Sequence, residues 1–151
     1  MTQRSSKNLH ACAIVIGGKG ILITGPSGSG KTSLAFGLME RCQRENLEAA
    51  FIADDQVLVH RDENLLVIEA PSAIAGKAEL HGFGIIDVQY QSKATIHLIV
   101  RLVDAELIER YPEPSFEEIE QVSLPRIDVP RQHEQNAARI VMAALNRVHA
   151  G

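Results

Sequence analysis

The sequence predicts an α/β fold, a phosphate-loop (P-loop) domain with a mixed, hairpin-rich sheet and few helices. Three observations carry this. Gly25-Pro26-Ser27-Gly28-Ser29-Gly30-Lys31-Thr32 stands between an apolar run and a helical pattern. Short apolar runs, separated by glycines or turn tetrads, recur on both sides of it. Only two stretches keep the three- and four-residue apolar spacing of a helix.

The elements follow in order. Residues 1–8 are polar and are expected to form a loose end, with a single domain over 9–151. Ala11 to Ile16 and Ile21 to Thr24 flank Gly17-Gly18-Lys19-Gly20, which predicts a β-hairpin whose glycines supply the positive φ of a tight turn. After the glycine-rich loop, Leu34, Ala35, Leu38 and Met39 predict a helix to about Arg44. Ala49 to Ala53 is a short strand ending in Asp54-Asp55. Val57 to His60 and Leu65 to Ile68 bracket a turn-like Arg61-Asp62-Glu63-Asn64, a second hairpin. Gly82 and Gly84 flank Phe83, which predicts a backbone held close to a neighbour. Thr95 to Val103 is a long strand. Pro112, Pro114, Pro125 and Pro130 predict loop with short elements over 111–131, because proline lacks the N–H of a ladder. Ala137, Ile140, Val141, Ala144, Leu145 and Val148 lie on one face of a closing helix over 134–148.

Composition narrows the function. The 151 residues fit one domain, 45% apolar and 23% charged, which excludes a disordered chain or a fibre. No apolar run approaches the roughly 20 residues of a membrane span. The N-terminus shows no secretion signal, and two cysteines, Cys12 and Cys42, make no disulfide framework, so a reduced cytoplasmic compartment is expected. The net charge of −4 is uneven: residues 1–44 carry +5 and residues 45–151 carry −9. The basic end suits a phosphate ligand, and the acidic remainder argues against nucleic acid.

Gly25 to Thr32 matches G-x-x-x-x-G-K-[ST] in full. In such a loop the backbone N–H groups of Gly25, Pro26, Ser27, Gly28, Ser29 and Gly30 (Pro26 excepted) surround phosphate oxygens, and the helix that follows adds positive partial charge. Lys31 reaches the outer phosphates and the Thr32 hydroxyl suits Mg²⁺. Asp54-Asp55 sits where the next strand ends. Adjacent residues alternate faces on a strand, so one carboxylate can face the nucleotide and the other the scaffold. A carboxylate there can hold a metal or accept a proton from an attacking hydroxyl. No Asn-Lys-x-Asp follows, so guanine specificity has no support, and His60, His97, His133 and His149 lack metal-ligand spacing. Glu79, His81 and Asp87 are polar points in an apolar stretch, which on pattern alone is a bulged strand.

From Leu9 to Leu145 the chain resembles the catalytic domain of bacterial HPr kinase/phosphorylase, in the short proteobacterial form that lacks the family's N-terminal domain. Leu9-His10, Ile23 to Thr32, Ala53-Asp54-Asp55 and Glu79-Leu80-His81-Gly82-Phe83-Gly84-Ile85-Ile86-Asp87-Val88 carry the resemblance. It implies a cytoplasmic, hexameric, ATP- and Mg²⁺-dependent kinase acting on a serine of the phosphocarrier protein HPr, with a reverse phosphorolysis. It implies that His10, Lys31, Asp55 and Arg110 are catalytic, Asp55 as general base, and that Thr32 and Glu79 hold the metal. Two departures stand out. His81 replaces the family's arginine, and Val129 to Asn136 keeps Arg131 but not the Pro-Gly turn of a loop tied to dephosphorylation. The kinase direction is therefore better supported than the phosphorylase direction. A small-molecule kinase, or a nucleotide-binding regulatory module without transfer activity, remains the alternative.

Overall fold

Strand alternation organises the molecule. The computed structural model describes residues 6–148; the expectations for residues 1–5 and for His149 lie outside the described residues. The strands β1 (Lys7–Leu9), β2 (Cys12–Ile16), β3 (Lys19–Thr24), β4 (Ala49–Ala53), β5 (Val57–Asp62) and β6 (Leu65–Glu69) are followed by a short hairpin, β7 (Lys77–Leu80) and β8 (Gly84–Asp87). Then come β9 (Lys93–Val103), β10 (Ser115–Ile119) and β11 (Val122–Pro130), with helices α1 (Lys31–Arg44) and α2 (Glu134–Leu145). One nine-stranded mixed sheet contains all strands but β7 and β8.

The eleven-residue β9 is the spine of this sheet. One edge pairs in parallel with β3 from Gly20↔Ile96 to Thr24↔Arg101. The other edge meets β6 over Lys93–Thr95 and β11 over Ile99–Val103. Consecutive side chains on the central strands then face opposite sides. Ile14, Ile21, Ile23, Leu98 and Val100 face the helices with Leu34, Leu38 and Val141. Ala13, Val15, Leu22 and Ile99 face the opposite side with Val57, Leu66, Ile68 and Leu124. Covered on both sides, β2 is a continuous apolar run rather than an alternating one.

Helix α1 buries Leu34, Ala35, Leu38 and Cys42 on one face, as its spacing predicts. Arg41 and Arg44 in its last turn complement the negative end of the helix dipole. It packs against α2, whose Ala137, Ala138, Val141 and Leu145 are buried.

Three expectations are corrected. Lys7 and Asn8 are not loose: they pair with Val59 and Leu58 of β5. Residues 111–131 are not mainly loop, because β10 and β11 form a hairpin. Pro125 is tolerated there because the β11–β9 ladder begins only at Arg126, so the missing N–H interrupts no pairing with β9. Gly82 and Gly84 are not close-approach positions: a Cβ at either would meet nothing within 4 Å, and they supply the positive φ (89° and 127°) of the β7–β8 turn.

Candidate active site

The C-terminal ends of β3 and β4 and the start of α1 meet at one edge of the sheet. The turn from β3 into α1 is the glycine-rich loop. Gly25 adopts φ 150°, and a Cβ there would lie 2.7 Å from Ser29 Oγ and 3.2 Å from Leu102 Cβ, so only glycine fits. Gly30 caps α1 at φ 98°, a left-handed conformation, leaving the first N–H groups of the helix pointing into the loop. The Lys31 ammonium donates to the Gly25 carbonyl at 2.9 Å and the Pro26 carbonyl at 3.1 Å. An ammonium has three donors, so one remains for an anion. Lys31 is 8% exposed, and the carbonyls keep its charge solvated while the loop is free of ligand.

The two adjacent carboxylates after β4 separate. Asp54 is buried. Its Oδ1 accepts the Thr32 hydroxyl at 2.7 Å and its Oδ2 accepts the Glu79 backbone N–H at 2.9 Å. The Cys12 thiol is buried beside it, and burial first, then the Asp54 charge, pushes that thiol well above its ordinary range. Asp54 therefore ties α1 and β7 together at the loop.

Asp55 turns outward. It adopts φ 72°, unusual for a residue with a side chain, which directs its carboxylate away from Asp54. Its Oδ1 lies 3.3 Å from His10 Nε2. The Ala11 N–H donates to the Asp55 carbonyl at 3.1 Å, so the backbone holds the two residues side by side.

Of the residues the sequence singled out, Gly25 to Thr32 form one loop, His10 meets Asp55, and Glu79 is linked to Thr32 through Asp54. Arg110 is not brought to them: its guanidinium lies 5.6 Å from the ring centroid of neighbouring Tyr111, and among the described residues no hydrogen bond or ion pair joins it to the loop. Sequence reasoning paired Asp54 with Asp55 but gave Asp54 no role of its own. Its only signal was the alternation that sends one of two adjacent carboxylates inward. His81 is exposed near the β7–β8 turn. The larger cavity, about 840 Å³, lies beside β9, β11 and α2 and includes none of the phosphate-loop residues. It is remote from this chemistry.

Mg²⁺ suits the donors present. It takes one or two carboxylates or hydroxyls, completing its shell with phosphate oxygens and water. Asp54 accepts from the Thr32 hydroxyl and from the Glu79 backbone N–H, so both residues that would hold the ion are tied to one buried carboxylate. Among the described residues no group of three His, Cys, Asp or Glu gathers as a closed metal cage would require.

A phosphate loop at the mouth of a mixed sheet, with paired carboxylates at the next strand's end, is the arrangement of a P-loop domain. The family model described as the HPr serine kinase C-terminal domain matches residues 2–150, and the chain belongs to that family. It is 34% identical over 152 residues to an HPr kinase/phosphorylase of Lactobacillus acidophilus, covering 92% of this chain and 45% of that protein. It is 35% identical over 153 residues to one of Latilactobacillus sakei, covering 93% and 47%. The chain thus spans about half the length of these relatives. A solved structure described as the Hpr(Ser) kinase/phosphatase from Coxiella burnetii superposes with a TM-score of 0.78 at 26% identity, covering 93% of this chain and 97% of that one. That fold has the same mixed α/β architecture. No helix among the described residues is long and apolar enough to cross a membrane.

Proposed function

We propose that the chain is an ATP- and Mg²⁺-dependent protein serine kinase whose substrate is the phosphocarrier protein HPr. The observation that carries this reading is the division between two neighbouring carboxylates. Asp54, buried, braces Thr32 and Glu79, while Asp55, exposed, waits beside His10. A nucleotide holder needs the first arrangement and has no use for the second. The names of the relatives supply the acceptor.

In this reading the nucleotide polyphosphate lies on the amides of Gly28 to Gly30, with Lys31 against its outer phosphates. Thr32 and Glu79 would hold Mg²⁺, which would supply positive charge against the phosphates. Asp55 takes the proton of the acceptor serine as its oxygen forms the new O–P bond and the bond to the leaving ADP oxygen breaks. His10 orients the Asp55 carboxylate toward that hydroxyl. Arg110 reaches the site only if its loop moves. The reverse phosphorolysis, with inorganic phosphate as nucleophile and pyrophosphate as product, rests on a loop that keeps one arginine. That arginine, Arg131, lies 3.7 Å from Asp104.

The test is incubation with γ-labelled ATP, Mg²⁺ and purified HPr. The expected result is label on an HPr serine. ATP bound without label on HPr leaves only a nucleotide-binding module; label on a small metabolite points to a small-molecule kinase.

A further inference from the structure

The arm that carries Glu79 stands outside the main sheet. β7 and β8 form a two-stranded sheet of their own. A lone hairpin is marginal in water, so whatever fastens this one to the body decides where Glu79 stands. Near the loop it is held by the Glu79 N–H on Asp54, at 2.9 Å, and by Ala78, which is buried in the helix-side core. A second fastening lies at the base of the hairpin.

The Val88 N–H donates to the Gly76 carbonyl at 3.0 Å and closes that base. The chain then runs beside β4. The Phe51 N–H donates to the Gln89 carbonyl at 3.0 Å, and the Gln91 N–H donates to the Phe51 carbonyl at 2.8 Å. Tyr90, between these two bonds, is bridged to Phe51. Its ring lies on Gly76: a Cβ there would fall 2.9 Å from Cδ1 and Cε1 of the ring, closer than a side chain can come. Tyr90 is 50% exposed, so the ring is not core filling. What it touches is the backbone that leads into β7, whose third residue is Glu79. Glycine has the most backbone freedom of any residue, and at position 76 the ring limits it. β4 ends at Ala53, directly before Asp54. One strand thus anchors the base of the arm through Phe51 and its far end through Asp54.

We propose that Tyr90 is a positioning residue: its ring, seated on β4 by the Phe51 bridge and pressed on Gly76, fixes where β7 leaves the body and so holds Glu79 where Mg²⁺ would bind. The proposal rests on the metal reading above and extends it to a residue that touches neither metal nor nucleotide.

The test compares the wild type, Tyr90→Ala, Tyr90→Phe, Glu79→Gln and the double variant Tyr90→Ala/Glu79→Gln. ATP affinity in excess chelator reports the loop alone, and Tyr90→Ala should leave it within about twofold. The Mg²⁺ concentration at half-maximal ATP binding should rise about tenfold in Tyr90→Ala, the scale on which a metal site answers to the loss of an orienting neighbour. In Tyr90→Phe, which keeps the ring, it should stay within about twofold. On the Glu79→Gln background Tyr90→Ala should add nothing, because it acts through that carboxylate. In the metal-free protein the Glu79 amide should lose protection from hydrogen exchange in Tyr90→Ala while the amides of β2 and β3 keep theirs. An unchanged Mg²⁺ requirement in Tyr90→Ala would overturn the positioning role. So would a shift of the same size on the Glu79→Gln background, or an equal loss of metal-free ATP, which marks a general loosening. If Glu79→Gln itself leaves the Mg²⁺ requirement unchanged, the metal assignment falls and the positioning role with it. If the wild type binds no ATP at all, the nucleotide reading falls first.

Discussion

His10 Nε2 lies 3.3 Å from Asp55 Oδ1, and the amide next to His10 donates to the Asp55 carbonyl. Both side chains are more than half exposed, so the contact contributes little to stability. In the proposed reading its value is orientation of the base. His10→Ala should melt at the wild-type temperature, bind nucleotide with unchanged affinity and turn over at least about tenfold more slowly, about 1.4 kcal/mol of barrier. Steady-state kinetics beside a nucleotide titration checks this; a loss confined to nucleotide affinity contradicts it.

Asp54 works through the residues it braces. Asp54→Asn cannot accept from the Thr32 hydroxyl and the Glu79 amide with both side-chain atoms, since its nitrogen donates. If Thr32 and Glu79 hold the metal, as proposed, removing the group that orients them costs about 10–100-fold in metal affinity. A Mg²⁺ titration of nucleotide binding should shift upward by that factor. An unchanged Mg²⁺ requirement would show that the brace has no bearing on the metal.

Neither cysteine should react in the folded protein. Cys12 and Cys42 are both buried, and burial raises both thiols above their ordinary range, so little thiolate forms. An aromatic disulfide reagent at neutral pH should titrate no thiol natively and two in denaturant. Rapid native labelling of one thiol would place it at the surface instead.

Acid should act on the spine of the sheet through His97. Its Nδ1 accepts the Gly20 N–H at 3.3 Å, beside the bulge between β3 and β9. Burial, with Lys19 adding to it and the Thr95 backbone opposing, holds the imidazole below its ordinary 6.5. The folded state thus binds its proton less readily than the unfolded state. The stabilisation is present above 6.5 and fades as pH falls through the lower folded value. Denaturation from pH 7.5 to 5 should show stability declining on the acid side, with His97 contributing at most one proton, about 1.4 kcal/mol per pH unit. His97→Asn, which keeps an acceptor that does not protonate, should flatten that component; an identical pH profile would remove His97 from the account.

Much of this architecture was legible because it is local. The β2–β3 hairpin, the loop from Gly25 to Thr32 and α1 follow one another, and each declares itself by glycine position or apolar spacing. The β10–β11 hairpin was hidden behind its prolines. Whether Pro125 breaks a strand depends on where β11 begins to pair with β9, and that is set by residues more than twenty positions away. The site divided in the same way. Lys31 and Thr32 are fixed by their motif, and the resemblance placed Asp55, Glu79 and His10. Which of the two carboxylates turns inward, and that Asp54 braces Thr32 and Glu79, became visible only when β7 delivered its Glu79 amide. Arg110 sits in a loop whose path no local pattern determines.

The most direct measurement is phosphoryl transfer to HPr by Asp55→Asn at saturating Mg²⁺ and ATP, with nucleotide affinity measured on the same sample. If Asp55 is the base, transfer falls by about 10²–10⁴-fold while ATP binds as before. Transfer at the wild-type rate would contradict the assignment and leave the exposed carboxylate beside His10 without a role in the chemistry.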